Sequence, residues 1–409
     1  MLKANVSGAA EEAAAEREPK NQQEPEQEPE PEMPAAKPKA PRHVMSTEFQ
    51  RGQMIIVLAR WILVLAGLMV ALWSPQKLSE LQIEVGVLLL VAIANFHLHA
   101  QLVQRRPTLP LIARAASIGD LVVITLLVAL QGGASSNLYV FYLPALLAIA
   151  VAFRTEEAAA LASLGVFLYA VVGIYSRVPS DVLLLRLLML AAVVVIGNTY
   201  WRLHRERITS TLSARKEDAQ DLFFGQAAAL WARWFAVIGG ALFVLARATT
   251  TDELARNIVP VVALLFMNFY LHGRYLVEQP ANRRLTLLAS GLDLVLISGL
   301  FITWSGKSGL DNPAFILFYP LVFSFALVFP PRIAGAFTLA TLALYAGLVL
   351  PSGIADTGEL KVLVERVLIL IAMGGLGTIY WRMVRREVRG NAETSDTHST
   401  LAWRTASAG

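Results

Sequence analysis

The 409-residue chain is 56% hydrophobic and 16% charged, with a formal net charge of +4 and no cysteine. A soluble chain of this length carries about a quarter charged residues, so a bilayer is expected as the solvent for most of it. Without cysteine, disulfides, thiol catalysis, cysteine-ligated zinc and iron–sulfur clusters are excluded. The basic residues stand at the ends of apolar segments, where the positive-inside rule puts them, so the positive balance reads as topology and not as nucleic-acid binding.

Residues 1–45 alternate Ala, Glu, Pro and Gln, as in Gln23-Glu24-Pro25-Glu26-Gln27-Glu28-Pro29-Glu30, with no apolar period that buries a core. This stretch reads as a disordered acidic tail, either a solvated spacer or a docking tail for a basic partner. A cleaved signal peptide is not expected, because a long polar region precedes the first apolar segment. Six apolar segments follow at roughly 53–73, 81–103, 111–131, 138–153, 157–175 and 182–202, judged against the ~20 residues that span a bilayer. The fourth is short, and is expected to tilt or to begin in a dip made by the turn Gly132-Gly133. A polar joint over 203–227 leads to six more segments at roughly 228–246, 253–275, 285–304, 313–329, 332–350 and 361–383. Residues 384–409 are basic, then rich in Ser, Thr and Ala, and read as a loose tail.

The two halves match in order. Arg60-Trp61 corresponds to Arg233-Trp234, Asn95 to Asn268, His99 to His272 and Asp120 to Asp293, all at a constant spacing of 173 residues. Further on, Tyr169 corresponds to Tyr345, Arg186 to Arg366 and Tyr200-Trp201-Arg202 to Tyr380-Trp381-Arg382. The expected fold is therefore an all-α integral membrane protein of about twelve transmembrane helices. They form two parallel six-helix repeats, 46–202 and 228–383, behind the disordered tail. Arg105, Arg106, Arg154, the run Arg202 to Lys216, Arg283, Arg284 and Arg382 to Arg389 fall on one set of connections, which places both termini and the middle joint in the cytoplasm.

Four ionisable groups lie inside apolar segments in both halves: Arg60, Asp120, Arg233 and Asp293. Each Arg is about seven residues, and each Asp about nine, from the cytoplasmic end, so at 1.5 Å per residue they lie at similar depth. Intramembrane charges pair or line a cavity. Arg60 with Asp120 and Arg233 with Asp293 are the expected pairs; the alternative is a snorkelling arginine beside a protonated carboxyl. Arg186 and Arg366 sit near the outer ends of the sixth helices and are expected to snorkel. His99 and His272 are read as interfacial polar residues, with bis-imidazole haem ligation as the alternative. The turns that hold Gly132, Gly133, Asn137, Asn312 and Pro313 are satisfied by tight-turn and helix-capping chemistry. Backbone donors beside aromatic residues there also suit a flat amphipathic head group such as a quinone.

Arg60-Trp61 on the first helix, Asn95 on the second, Asp120 on the third, Gly132-Gly133 with Asn137, and Pro144 on the fourth together resemble a known input domain. It is the multi-span sensor domain of bacterial histidine kinases of the RegB and PilS type, whose turn reads approximately Gly-Gly-x-x-Asn-Pro-Phe. The second half keeps Asn312-Pro313 with Phe315 one place late and lacks the double glycine; the first keeps Gly132-Gly133 and replaces the proline. The resemblance implies a sensor of a bacterial cytoplasmic membrane whose turn responds to quinone, with Gly132, Gly133, Asn137, Tyr142, Asn312, Pro313 and Phe315 as the contacting residues. No phosphoacceptor His-Glu-x-x-x-Pro pattern and no ATP-binding boxes are present, nor any phosphate loop, Ser/His/Asp set or HExxH cluster. The expectation is a non-enzymatic, kinase-less sensor or signalling adaptor that works in the lipid bilayer with a separate kinase or another membrane protein. A structural subunit of a membrane complex and a six-plus-six transporter are the alternatives.

Overall fold

The computed structural model describes residues 42–73, 77–104, 110–133, 136–209, 217–277, 279, 281–303, 309–352 and 357–406. The expected acidic tail up to residue 41, residues 210–216 of the joint and residues 304–308 of the second turn lie outside them. All regular structure among the described residues is helical.

Among the described residues ten helices are long and apolar enough to cross a membrane, which makes this a multi-pass membrane protein. They are α1 (Arg42–Trp73), α2 (Leu78–Val103), α3 (Pro110–Leu130), α5 (Thr155–Tyr175), α6 (Ser180–Thr209), α7 (Glu217–Arg247), α8 (Thr251–Leu276), α9 (Arg283–Thr303), α11 (Pro331–Val349) and α12 (Thr357–Ala406). Two shorter ones, α4 (Tyr142–Ala152) and α10 (Phe318–Val328), are each entered through a five-residue 3₁₀ turn, Asn137–Phe141 and Pro313–Leu317. The fourth apolar segment thus begins as a 3₁₀ turn. Pro144 and Pro320 both fall in the first turn of the α-helix that follows, where a missing N–H costs nothing.

α4 and α10 carry no charged residue and are apolar on every side, which suits only a position with protein all round. Every residue of α10 is buried. Longer helices approach them through glycines. A methyl on Gly225 of α7 would stand 2.8 Å from the Cα of Val328 and 3.0 Å from the carbonyl oxygen of Leu327, and one on Gly377 of α12 would stand 2.7 Å from Ala326. In a bilayer, where apolar burial between helices drives little, such small-residue contacts supply the packing. α2 and α8 lie outside, with Leu89, Leu90, Ile93, Phe96, Val259, Phe266 and Phe269 exposed. An exposed apolar face of this kind suits contact with lipid.

α12 continues to Ala406, whereas the composition of residues 384–409 suggests a loose tail. The segment contains no proline, and after Gly390 nothing in it stops a helix already nucleated in the bundle.

Candidate functional site

The turn after α3 is built on backbone geometry that glycine alone adopts easily. Gly132 and Gly133 have φ of +90° and +67°, and a methyl on Gly133 would fall 2.0 Å from the Ser176 hydroxyl oxygen. The cap of the 3₁₀ turn that follows is Ser136, whose hydroxyl accepts from the Leu138 N–H at 3.1 Å. Asn137, one of two asparagines expected to cap, is instead the first residue of that turn, because a shorter hydroxyl side chain already stands at the capping place. Asn312 does cap its own turn, accepting from the Ala314 N–H and donating to the Phe301 carbonyl, both at 2.9 Å. Pro313 follows at the first position, buried, and Gly309 takes the positive φ, +79°.

These turns carry Tyr139 and Phe315 to corresponding places, and an arginine lies on each ring. The Arg186 guanidinium carbon is 4.0 Å from the Tyr139 ring centre, and that of Arg366 is 3.5 Å from the Phe315 ring centre. Each arginine also donates to a tyrosine of the preceding helix at 3.0 Å, Arg186 to Tyr169 and Arg366 to Tyr345. The two rings meet 6.5 Å apart, giving a cation–ring–ring–cation row across the two halves. Arg366 additionally donates Nη2 to the Asn137 Oδ1 at 3.0 Å. Both arginines, expected to snorkel outward, turn inward instead, where stacked rings and tyrosine hydroxyls engage their guanidinium groups. Beside them, Glu365 is buried and lies 3.7 Å from Lys361. Tyr142 is buried and its hydroxyl meets that of Thr125 at 2.5 Å. The Tyr319 hydroxyl is buried with no hydrogen-bond partner among the described residues.

A second pattern recurs deeper in each half. Arg60 Nε lies 2.9 and 2.7 Å from the two Asp120 carboxylate oxygens, and Arg233 Nε lies 2.9 and 2.8 Å from those of Asp293. The four groups are at most 9% exposed. At such a depth each charge depends on its partner, since a lone ion there costs several kcal/mol. The next residue, Trp61 or Trp234, donates its indole N–H to Nδ1 of His99 at 3.2 Å or of His272 at 3.1 Å. An acceptor Nδ1 leaves the proton of a neutral imidazole on Nε2. Among the described residues the two histidines do not touch one another, and each is tied to its own tryptophan. Asn95 clips α2 to α1 by donating to the Val57 carbonyl at 3.1 Å.

Sequence reasoning passed over Tyr139, Tyr169, Tyr345 and Glu84. The Leu-Tyr-Ala match of Tyr169 with Tyr345, seventeen and twenty-one residues before matched arginines, was the available signal. Glu84, 1% exposed inside α2, accepts from Gln131 Nε2 at 2.9 Å and has no acidic counterpart in the second half, where Asn257 stands. Comparison of the chain with protein-family models, curated proteins and solved structures finds no match.

Proposed function

We propose that the chain is a kinase-less membrane sensor or signalling adaptor of a bacterial cytoplasmic membrane. In this reading twelve membrane-embedded helices form two parallel repeats, and both termini are cytoplasmic. The observation that carries it is the position of Arg366. It lies on Phe315, bonds across the halves to Asn137, and belongs to α12, a helix of 50 residues. At 1.5 Å per residue that helix is about 75 Å long, more than twice the ~30 Å hydrocarbon core. A change at the turns is thereby coupled to a rod that leaves the bilayer.

A ligand shifts such an element only by binding its two arrangements unequally. A membrane-soluble head group such as a quinone, held by Gly132, Gly133, Asn137, Tyr142, Asn312, Pro313 and Phe315, would do so by competing for Asn137 and for the aromatic row. The output would go to a separate kinase or another membrane protein that reads α6 and α12. The test is to purify the protein in mild detergent, extract it with organic solvent and quantify quinone by mass spectrometry beside a Gly132→Val/Asn137→Ala variant. Near-stoichiometric quinone in the wild type and its loss in the variant are expected. Absence from both would remove quinone as the ligand and direct the search to protein partners.

A further inference from the structure

The matching helices α6 and α12 leave the bilayer side by side. The Tyr200 and Tyr380 rings meet at 5.5 Å, and the Tyr380 hydroxyl donates to the Gly197 carbonyl at 3.3 Å. The apolar stretches of both helices end just beyond, at Leu203 and Arg385. Past the rings the sequence turns strongly basic. α6 carries Arg202, Arg205 and Arg207, α12 carries Arg382, Arg385, Arg386 and Arg389, and the acidic residues among them are Glu206 and Glu387. Seven arginines against two glutamates put a net charge of +5 on two adjacent helix ends, more than the +4 of the whole chain. At their opposite ends the same helices open on Asp181 and Glu359.

Spacing and depth suit this collar to a charged bilayer surface. Arg382, Arg385, Arg386 and Arg389 recur at i, i+3, i+4 and i+7, which lines them along one face of α12, and Arg202 with Arg205 repeats the first step on α6. At 1.5 Å per residue Arg202, Arg205, Arg382 and Arg385 lie within about 8 Å of the tyrosine rings along the helix axes, the thickness of one headgroup layer. Arg202 and Arg382 are exposed. Arg385 lies over the Trp381 ring, 4.9 Å from its centre, so an interfacial aromatic holds a guanidinium at headgroup depth. A guanidinium fork matches a phosphate bidentately, and clustered arginines beside a membrane span attract anionic lipid. The acidic start of α7, Glu217, Asp218 and Asp221, is the intramolecular alternative, and three carboxylates do not balance that charge.

We propose that the end of α6 and α12 marked by Arg202 and Arg382 is a docking surface for anionic phospholipid, whose headgroup phosphates bind across the arginines of both helices. The inference is independent of any ligand at the glycine turns. It is tested on the full chain by native mass spectrometry from detergent, with phosphatidylglycerol and phosphatidylcholine titrated separately into the wild type, Arg202→Gln/Arg382→Gln and Arg177→Gln. Arg202 and Arg382 are exposed, so their replacement spares the core; Arg177 is exposed on the connection after α5, at the opposite end of α6, and serves as the control. The wild type should bind phosphatidylglycerol at least about tenfold more tightly than phosphatidylcholine, and the double variant should lose most of that preference while Arg177→Gln keeps it. A wild type that binds the two lipids alike would overturn the proposal. So would a preference that survives in the double variant, or one that falls as far in Arg177→Gln.

Discussion

Arg366 and Asn137 are separated by 229 positions in the chain, yet Nη2 of the one lies 3.0 Å from Oδ1 of the other. The bond joins the last long helix to the turn at the start of α4, and its second-half equivalent is barred by chemistry: at the place matching Asn137 stands Pro313, which has no side-chain acceptor. Otherwise similar halves are therefore coupled in one direction.

Asn137→Ala removes the acceptor and leaves a buried guanidinium N–H bare, so a loss of about 1.5–3 kcal/mol in unfolding free energy is expected. Arg366→Lys should lose at least as much despite keeping the charge, because an ammonium cannot lie flat on Phe315 while also reaching Tyr345 and Asn137. Denaturant titration in detergent, followed by tryptophan fluorescence, measures both. Equal stability of Arg366→Lys and the wild type would contradict the stacked geometry.

Much of this was legible beforehand, and for physical reasons. Arg60 and Asp120 announce themselves because a charge in an apolar run has few alternatives, and their recurrence as Arg233 and Asp293 removes accident. Arg186 and Arg366 were misjudged because a long side chain near a helix end has two ways to reach polarity. The sequence alone does not reveal that Tyr139, Tyr169 and Tyr345 converge on the inward one. Ser136 took the cap expected of Asn137 since a serine hydroxyl caps as well as an asparagine carbonyl, and the turn begins one residue earlier than the asparagine suggests.

For the deeper pairs a double-mutant cycle is decisive. Arg60→Ala and Asp120→Ala should each cost about 3–5 kcal/mol, because each strands a buried charge. The double variant should cost clearly less than the two combined. Additive losses would mean that the groups do not sense one another. The same cycle on Arg233 and Asp293 is expected to behave alike.

At the turn, Gly133→Ala meets two penalties, a positive φ of +67° and a clash with Ser176. Adding Ser176→Gly should relieve the clash but leave roughly 1 kcal/mol or more of backbone strain. Partial recovery of the melting temperature is the expected outcome, and full recovery would show that the backbone is not strained there.

Gly225→Val tests the approach of α7 to α10. The neighbours are backbone atoms of Leu327 and Val328, which cannot swing aside as a side chain would. Reduced yield and an earlier thermal transition by size-exclusion chromatography are expected, whereas Gly291→Ala, where no atom lies within 4 Å, should be neutral.

The most direct measurement of the coupling between the turn and the long helices is a spin-label distance by EPR. The chain has no cysteine, so Arg202→Cys on α6 and Arg382→Cys on α12 give two clean labels, just beyond rings of Tyr200 and Tyr380 that meet at 5.5 Å. If the contact of Arg366 with Asn137 sets how α6 and α12 stand to each other, the distance distribution shifts when Asn137→Ala is added. Distributions that superimpose with and without Asn137→Ala would contradict the account.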